Sequence, residues 1–382
     1  MALGLQAAVP TSIVRAATLP TDSSVTFQTD AAHTGNQADP QLKPPLERQW
    51  RVDLGDTANY PVIADGRLFI TAGPLLYAFD LQTGMPLWGP IDIGAHNGFA
   101  TYDNGRLFVQ NSYNFLRAFD PATGRTLWLE QLPWETSSST APVALNGTIY
   151  AIGNGEGALL YAVSESDGAL LWLTGGCGDC PLIGDSSVAV TSTGVYVDGG
   201  CGFNYRLDPA SGNQVWGTSG PCSGGGGLTP AVYQGRFYSP RTYPSPDDVD
   251  VLDTIDGKTI RTFKASQAPA FSGSTGFFLD YGTLRAQDLN TANLQWTFTG
   301  DGSLITSPLV ANGYVYVGSS MGHLYAVDAA HCRGKSVHRC GRSGWRERVE
   351  PLCAGPTEWG GRVGTRRNRP NERGERIRWH RI

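Results

Sequence analysis

Ala78-Phe79-Asp80-Leu81-Gln82-Thr83-Gly84-Met85-Pro86-Leu87-Trp88 has the form A-x-D-x-x-T-G-x-x-x-W, and that form returns along the chain. Ala118, Asp120, Thr123, Gly124 and Trp128 repeat every fixed position. Ala162, Asp167, Gly168 and Trp172 keep most of it, as do Asp208, Ser211, Gly212 and Trp216. Ala286, Asp288, Thr291 and Trp296 carry it with Ala292 in the Gly place. The tryptophans fall 40, 44, 44 and 80 residues apart, the last interval being two steps of 40. A fixed period near 40 marks an array of one supersecondary unit.

The chemistry of the unit follows from its residues. Leu76-Tyr77-Ala78-Phe79 reads as a strand. Asp80 and Thr83 can bond their own backbone and Gly84 accepts positive φ, so D-x-x-T-G is a hairpin turn. The next strand carries the Trp. Upstream, Asp65-Gly66, Asn104-Gly105, Asn146-Gly147 and Asn312-Gly313 are hairpin dipeptides, each before a short apolar strand. Pro61-Val62-Ile63, Pro142-Val143-Ala144, Pro230-Ala231-Val232 and Pro308-Leu309-Val310 read as innermost strands. Four antiparallel strands at this period predict an all-β fold, a β-propeller of four-stranded blades. Inner strands are expected to start near Tyr60, Phe99, Thr140, Ser187, Leu228, Ala268 and Ile305. That count predicts seven blades, with an eight-bladed parent as the alternative. Blade 5 is the outlier, with Arg261 where Trp belongs.

The repeated form resembles the tryptophan-docking motif of the PQQ-like β-propeller repeat family. The resemblance covers residues 48–330. That family holds quinone-dependent dehydrogenases, outer-membrane assembly scaffolds and other secreted proteins.

Charge divides the chain. Residues 1–330 carry 15 Lys and Arg against 29 Asp and Glu, and residues 331–382 carry 14 against 5. An acidic body of this kind is expected to avoid nucleic acid. Residues 1–17 are apolar and small and read as a signal-peptide remnant, which implies a secreted or extracytoplasmic envelope location. No run is long enough for a transmembrane helix. The lipoprotein anchor of the assembly scaffolds needs a Cys near the start, and the first here is Cys177. Residues 18–47 form a polar lead-in, in which Phe27–Gly35 resembles the peptide that precedes such propellers. Its His33 reads as a hydrogen-bonding turn residue rather than a ligand.

Trp50 lies on a strand-like stretch without inner strands of its own. It is expected to close the ring, pairing in the sheet of Tyr314–Val317 and Leu324–Val327. The last repeat fails inside its turn: Asp328-Ala329-Ala330 is in register and His331-Cys332 is not. Residues 331–382 contain no Asp, are rich in Arg and read as an unfolded or frameshifted tail that supplies no strand. The alternative is an authentic basic tail with an anionic partner.

Cys177, Cys180, Cys201 and Cys222 cluster between Gly-rich stretches. The C-x-x-C spacing admits zinc or a redox pair, but no second C-x-x-C or paired His is near. In a secreted protein two disulfides are expected, Cys177 with Cys180 and Cys201 with Cys222. Ser245-Pro246-Asp247-Asp248-Val249-Asp250 lacks the Asx-x-Asx-x-Asx-Gly spacing of a calcium loop and reads as a half-exposed strand.

Two functions follow from the resemblance. The first is a non-catalytic extracytoplasmic scaffold, a monomer presenting loops to a protein, peptide or glycan, with no cofactor. The alternative is a PQQ-dependent dehydrogenase with calcium. Family enzymes carry a catalytic Asp with calcium ligands and often a disulfide between adjacent Cys residues. No Cys-Cys pair occurs here, and only three of six His precede residue 331. The sequence therefore favours the scaffold and names no catalytic residue.

Overall fold

The computed structural model describes residues 23–134, 137–138, 140–154, 159–175, 187–199, 203–218, 228–241, 248–331, 334–339, 348–349 and 353–354. Among these, seven sheets form and no helix does. Blade 1 is Val62–Ala64, Arg67–Ala72, Leu75–Asp80 and Pro86–Asp92, four antiparallel strands in chain order. Blades 2 to 7 occupy residues 99–131, 143–175, 189–217, 231–264, 270–298 and 309–339 in the same order. The inner strands begin within four residues of their expected starts.

This topology gives the ring two unlike faces. Strands one and two, and strands three and four, are joined on the turn face by the tight Asp-Gly, Asn-Gly and D-x-x-T-G hairpins. Strands two and three, and successive blades, are joined on the loop face. The core lies between blades. Phe69, Leu76 and Ala78 of blade 1 pack with Ala100, Leu107 and Phe119 of blade 2 in one buried cluster. Later blades repeat the arrangement.

The lead-in is part of this core. Residues 24–35 pass once around the axis, meeting the blades in order. At the centre of each inner strand sits one N–H that points away from its own sheet. Ile63 donates to Ser24 O at 2.8 Å, Tyr102 to Val25 O at 2.8 Å and Val190 to Ala31 O at 2.6 Å. Val232 donates to Ala32 O at 2.8 Å, Phe271 to Thr34 O at 3.1 Å and Val310 to Gly35 O at 2.7 Å. Blade 3 uses a relay: Ala144 donates to Thr101 Oγ1, which donates to Val25 O. Buried N–H groups need partners, so this segment satisfies what a bare channel would leave to water. Asn36–Gln37 then pairs in parallel with Leu309–Ala311 of blade 7.

Two expectations about the chain ends are corrected. Residues 46–54 form no strand, so Trp50 does not complete the blade 7 sheet. That place beside His323–Asp328 is taken by Gly334–Arg339, within the tail expected to supply none. Arg348–Val349 and Cys353–Ala354 add to the outer edges of blades 7 and 6. An outer strand is asked for backbone groups on one edge and little else, so a sequence without the repeat's fixed residues can fill it. Trp50 instead lies over Gly84 and donates from Nε1 to Leu81 O at 2.9 Å.

Candidate functional site

On the turn face the repeated residues build joints. Ala78 and Ala118 are buried and sit opposite Trp88 and Trp128 in register. Asp80 Oδ1 accepts the Thr83 N–H at 2.8 Å and its hydroxyl at 2.7 Å, which holds the Asp80 carboxyl below its ordinary range. Asp120 accepts the Thr123 N–H, and Asp208 and Asp288 hold Ser211 and Thr291 in the same way. Gly84, Gly124 and Gly212 follow with positive φ, as the turn requires.

Each indole then crosses to the next blade. Trp88 Nε1 donates to Pro121 O at 3.0 Å, Trp128 to Glu165 O at 3.0 Å and Trp172 to Pro209 O at 2.9 Å. Trp216 donates to Thr254 O at 3.0 Å and Trp296 to Ala329 O at 3.1 Å. Arg261 replaces the indole by donating to Asn290 O at 2.7 Å. These bonds fix blade to blade.

Glu165 breaks the pattern. It occupies the position that Leu81, Pro121, Pro209, Thr254 and Leu289 fill elsewhere. Its side chain is buried between blades 2 and 3, accepting Asn104 Nδ2 at 3.1 Å and the Gly147 N–H at 3.2 Å. Burial pushes its carboxyl up to about 8, and the neighbouring Asp103 carboxylate adds to the rise.

The loop face carries the more open chemistry. A cavity of about 420 Å³ opens on the axis, with Thr26, Phe27 and Thr29 as its floor and Tyr60, Gln267 and Ser307 among its walls. Among the described residues no Asp, Glu, Lys, Arg or His lines it. Gln28 spans the axis beneath, reaching Ala268, Pro269 and Pro308 carbonyls at 3.3 Å each. His33 is fully buried with φ of 57°, and its Nδ1 meets Pro230 O at 2.9 Å. Burial pushes His33 down to about 4, so it is neutral at pH 7 and Nδ1 is the donor.

Two acid clusters face the loops. Asp301 accepts His323 Nδ1 and Ser319 Oγ, each at 2.7 Å. This has the residue types of a hydrolytic triad, but both partners bond the same carboxylate, and among the described residues no His ring is hydrogen-bonded to Ser319 Oγ. Asp250, expected to face solvent, is buried and gripped by Arg241 through Nε at 2.5 Å and Nη2 at 2.7 Å. Thr262 completes the set at 2.9 Å. Val249 and Val251 beside it are fully buried. Among the described residues no group of three or more His, Cys, Asp and Glu could hold a metal. Cys177, Cys180, Cys201 and Cys222 lie outside the described residues.

Comparison with known proteins agrees with this architecture. The family model described as outer membrane protein assembly factor BamB matches residues 46–172, 91–226 and 245–350. The curated outer membrane protein assembly factor BamB of Francisella salina is 31% identical over 154 residues. That match takes in 35% of this chain and 28% of the relative's length. The crystal structure of BamB from Moraxella catarrhalis superposes with a TM-score of 0.61 at 17% identity, over 76% of this chain and 91% of that one. The quinohemoprotein alcohol dehydrogenase of Comamonas testosteroni gives 0.65 at 14% identity, over 87% and 80%. At such identities both structures attest the fold alone. The family match runs through residues 46–226 and 245–350, well over half of the chain, and the protein therefore belongs to the PQQ-like repeat family of outer membrane protein assembly factor BamB.

Proposed function

We propose that this protein is a non-catalytic scaffold of the bacterial cell envelope that assists outer-membrane protein assembly by holding a protein partner. The observation that carries this reading is the filled axis. Residues 24–35 occupy the place where a substrate channel would run, which leaves the loop face and the rim for contact. Exposed Tyr113, Trp134, Tyr281 and Met321 stand on that face, and aromatic side chains are common anchors in protein interfaces.

The dehydrogenase reading finds less support. PQQ is a tricarboxylic o-quinone and asks for cationic partners and a calcium ion. Among the described residues the axial cavity offers hydroxyls, amides and aromatic rings and no charged group. These residues do not fit that cofactor.

The test is co-purification. Tagged full-length chain recovered from its native envelope is expected to bring down a β-barrel assembly component, and its deletion is expected to lower the level of outer-membrane β-barrels. Dye-linked alcohol oxidation at enzyme-like turnover, after addition of PQQ and Ca²⁺, with no change in those barrels would contradict it. The same reading expects Cys177, Cys180, Cys201 and Cys222 to resist thiol labelling until reduced.

A further inference from the structure

The axial cavity is built with unspent recognition chemistry. Tyr60 has its hydroxyl committed to Ala100 O at 2.6 Å, and its ring faces Phe27 at 5.8 Å in an edge-on contact. Thr29 bonds Asn36 O, and Gln28 bonds the carbonyls beneath. Among the described residues the side chains of Ser24, Gln267 and Ser307 remain uncommitted around the opening. The described lining is thus an aromatic wall with a few neutral hydrogen-bonding groups and no charged side chain. At about 420 Å³ it falls in the ~300–1,000 Å³ range of ligand sites.

A platform adjoins it on blades 6 and 7. Leu304 bridges Gly282 on one side and Ser319 on the other, so three loops lie side by side. Ile305 and Thr306 both donate to Gly318 O, which fixes Ile305 next to the cavity wall at Thr306. Tyr281, Ile305 and Met321 are 70%, 52% and 62% exposed on this platform. Large apolar side chains grouped beside a neutral cavity mark an interaction surface.

Resting on the scaffold reading above, we propose that the axial cavity takes an uncharged aromatic side chain from an extended segment of the protein partner, with Ile305, Met321 and Tyr281 carrying the flanking residues. Charge selects the occupant. A Lys, Arg, Asp or Glu side chain would be desolvated there without a counter-charge. A sugar would bring more hydroxyls than three uncommitted side chains can satisfy. An aromatic ring needs an apolar wall, and its flanking peptide groups need only the few donors and acceptors that Ser24, Gln267 and Ser307 supply.

The experiment uses the full chain with a benzophenone amino acid at the position of Ile305 or, separately, of Leu171 on the outer rim. Irradiation of cells is expected to give a protein adduct from position 305 whose cross-linked peptide contains an uncharged aromatic residue. Ser307→Lys or Gln267→Lys is expected to abolish it while leaving the thermal midpoint unchanged. Adducts from position 171 alone would overturn this inference and leave the scaffold reading standing. No protein adduct at either position would overturn both. Adducts at 305 that survive both Lys variants, or that map to glycan or to segments without an aromatic residue, would also overturn the inference. In vitro the probes are the blocked peptides Ser-Thr-Phe-Thr-Ser, Ser-Thr-Lys-Thr-Ser and Ser-Thr-Asp-Thr-Ser. The Phe peptide is expected to bind at least about tenfold tighter, as one buried anchor side chain supplies. Equal binding of the three would contradict the proposal.

Discussion

His33 Nδ1 lies 2.9 Å from the carbonyl oxygen of Pro230, almost two hundred residues away in the chain, and ties the N-terminal segment to the head of blade 5. The ring on the other side of this bond is fully buried. The lead-in is thus held by side chains as well as by the six backbone bonds that cap the inner strands.

His33→Ala should destabilise the fold by about 2–4 kcal/mol. It removes a buried ring and leaves Pro230 O without its donor. Urea denaturation at pH 7 measures this. A cost below about 0.5 kcal/mol would mean that the ring is not packed on the axis.

The same residue sets a pH dependence. Its folded pKa of about 4 lies below the unfolded value of 6.5, so the unfolded state binds more protons between them. The stabilisation is fully present above pH 6.5 and is lost as pH falls towards 4, at about 1.4 kcal/mol per pH unit. Denaturation midpoints measured over that window should fall with acidification, and His33→Gln should flatten the slope.

Glu165 acts in the opposite sense. Its carboxyl is raised by burial and by Asp103, so the folded state holds the proton that the unfolded chain releases above pH 4.5. Its contribution therefore weakens as pH rises from 4.5 to about 8. Glu165→Gln should raise the thermal midpoint at pH 8 relative to the parent and change it little at pH 4.5. The reverse pattern would show that Glu165 is ionised in the fold.

Two glycines separate turn geometry from packing. Gly66 and Gly84 both have positive φ, near 70° and 67°. A Cβ on Gly66 meets open space, whereas one on Gly84 would stand 2.5 Å from the Trp50 ring. Gly66→Ala should cost about 1 kcal/mol, and Gly84→Ala about 1–3 kcal/mol more. Equal costs by urea denaturation would remove Trp50 from its place over blade 1.

Much of the fold was legible because the repeat is written in side chains. Asp80, Gly84 and Trp88 each have a local or next-blade partner, and the same types recur where the same partner recurs. The axial segment is different. Ser24, Val25, Ala31, Ala32, Thr34 and Gly35 act through their carbonyl oxygens, which every residue has, so the likeness of Phe27–Gly35 to a lead-in peptide does not reveal which inner strands it caps. Asp301 and His323 meet because the connection from blade 6 to blade 7 folds over the start of the strand His323–Asp328, a relation that spacing alone does not reveal. Glu165 could have been found, since an acid stands there where the aligned repeats have neutral residues. The strand at Gly334–Arg339 escaped because its place requires backbone pairing and none of the repeat's fixed residues.

The chain closes around its own N-terminal segment. Hydrogen exchange of the full chain, resolved at the amides of Ile63, Tyr102, Val190, Val232, Phe271 and Val310, tests this closure most directly. These N–H groups point to the axis and have their partners in residues 24–35. All six are predicted to exchange as slowly as the strand amides paired within the blades, opening only with global unfolding. Rapid exchange at these six, with the other strand amides protected, would show a water-filled channel and contradict closure around residues 24–35.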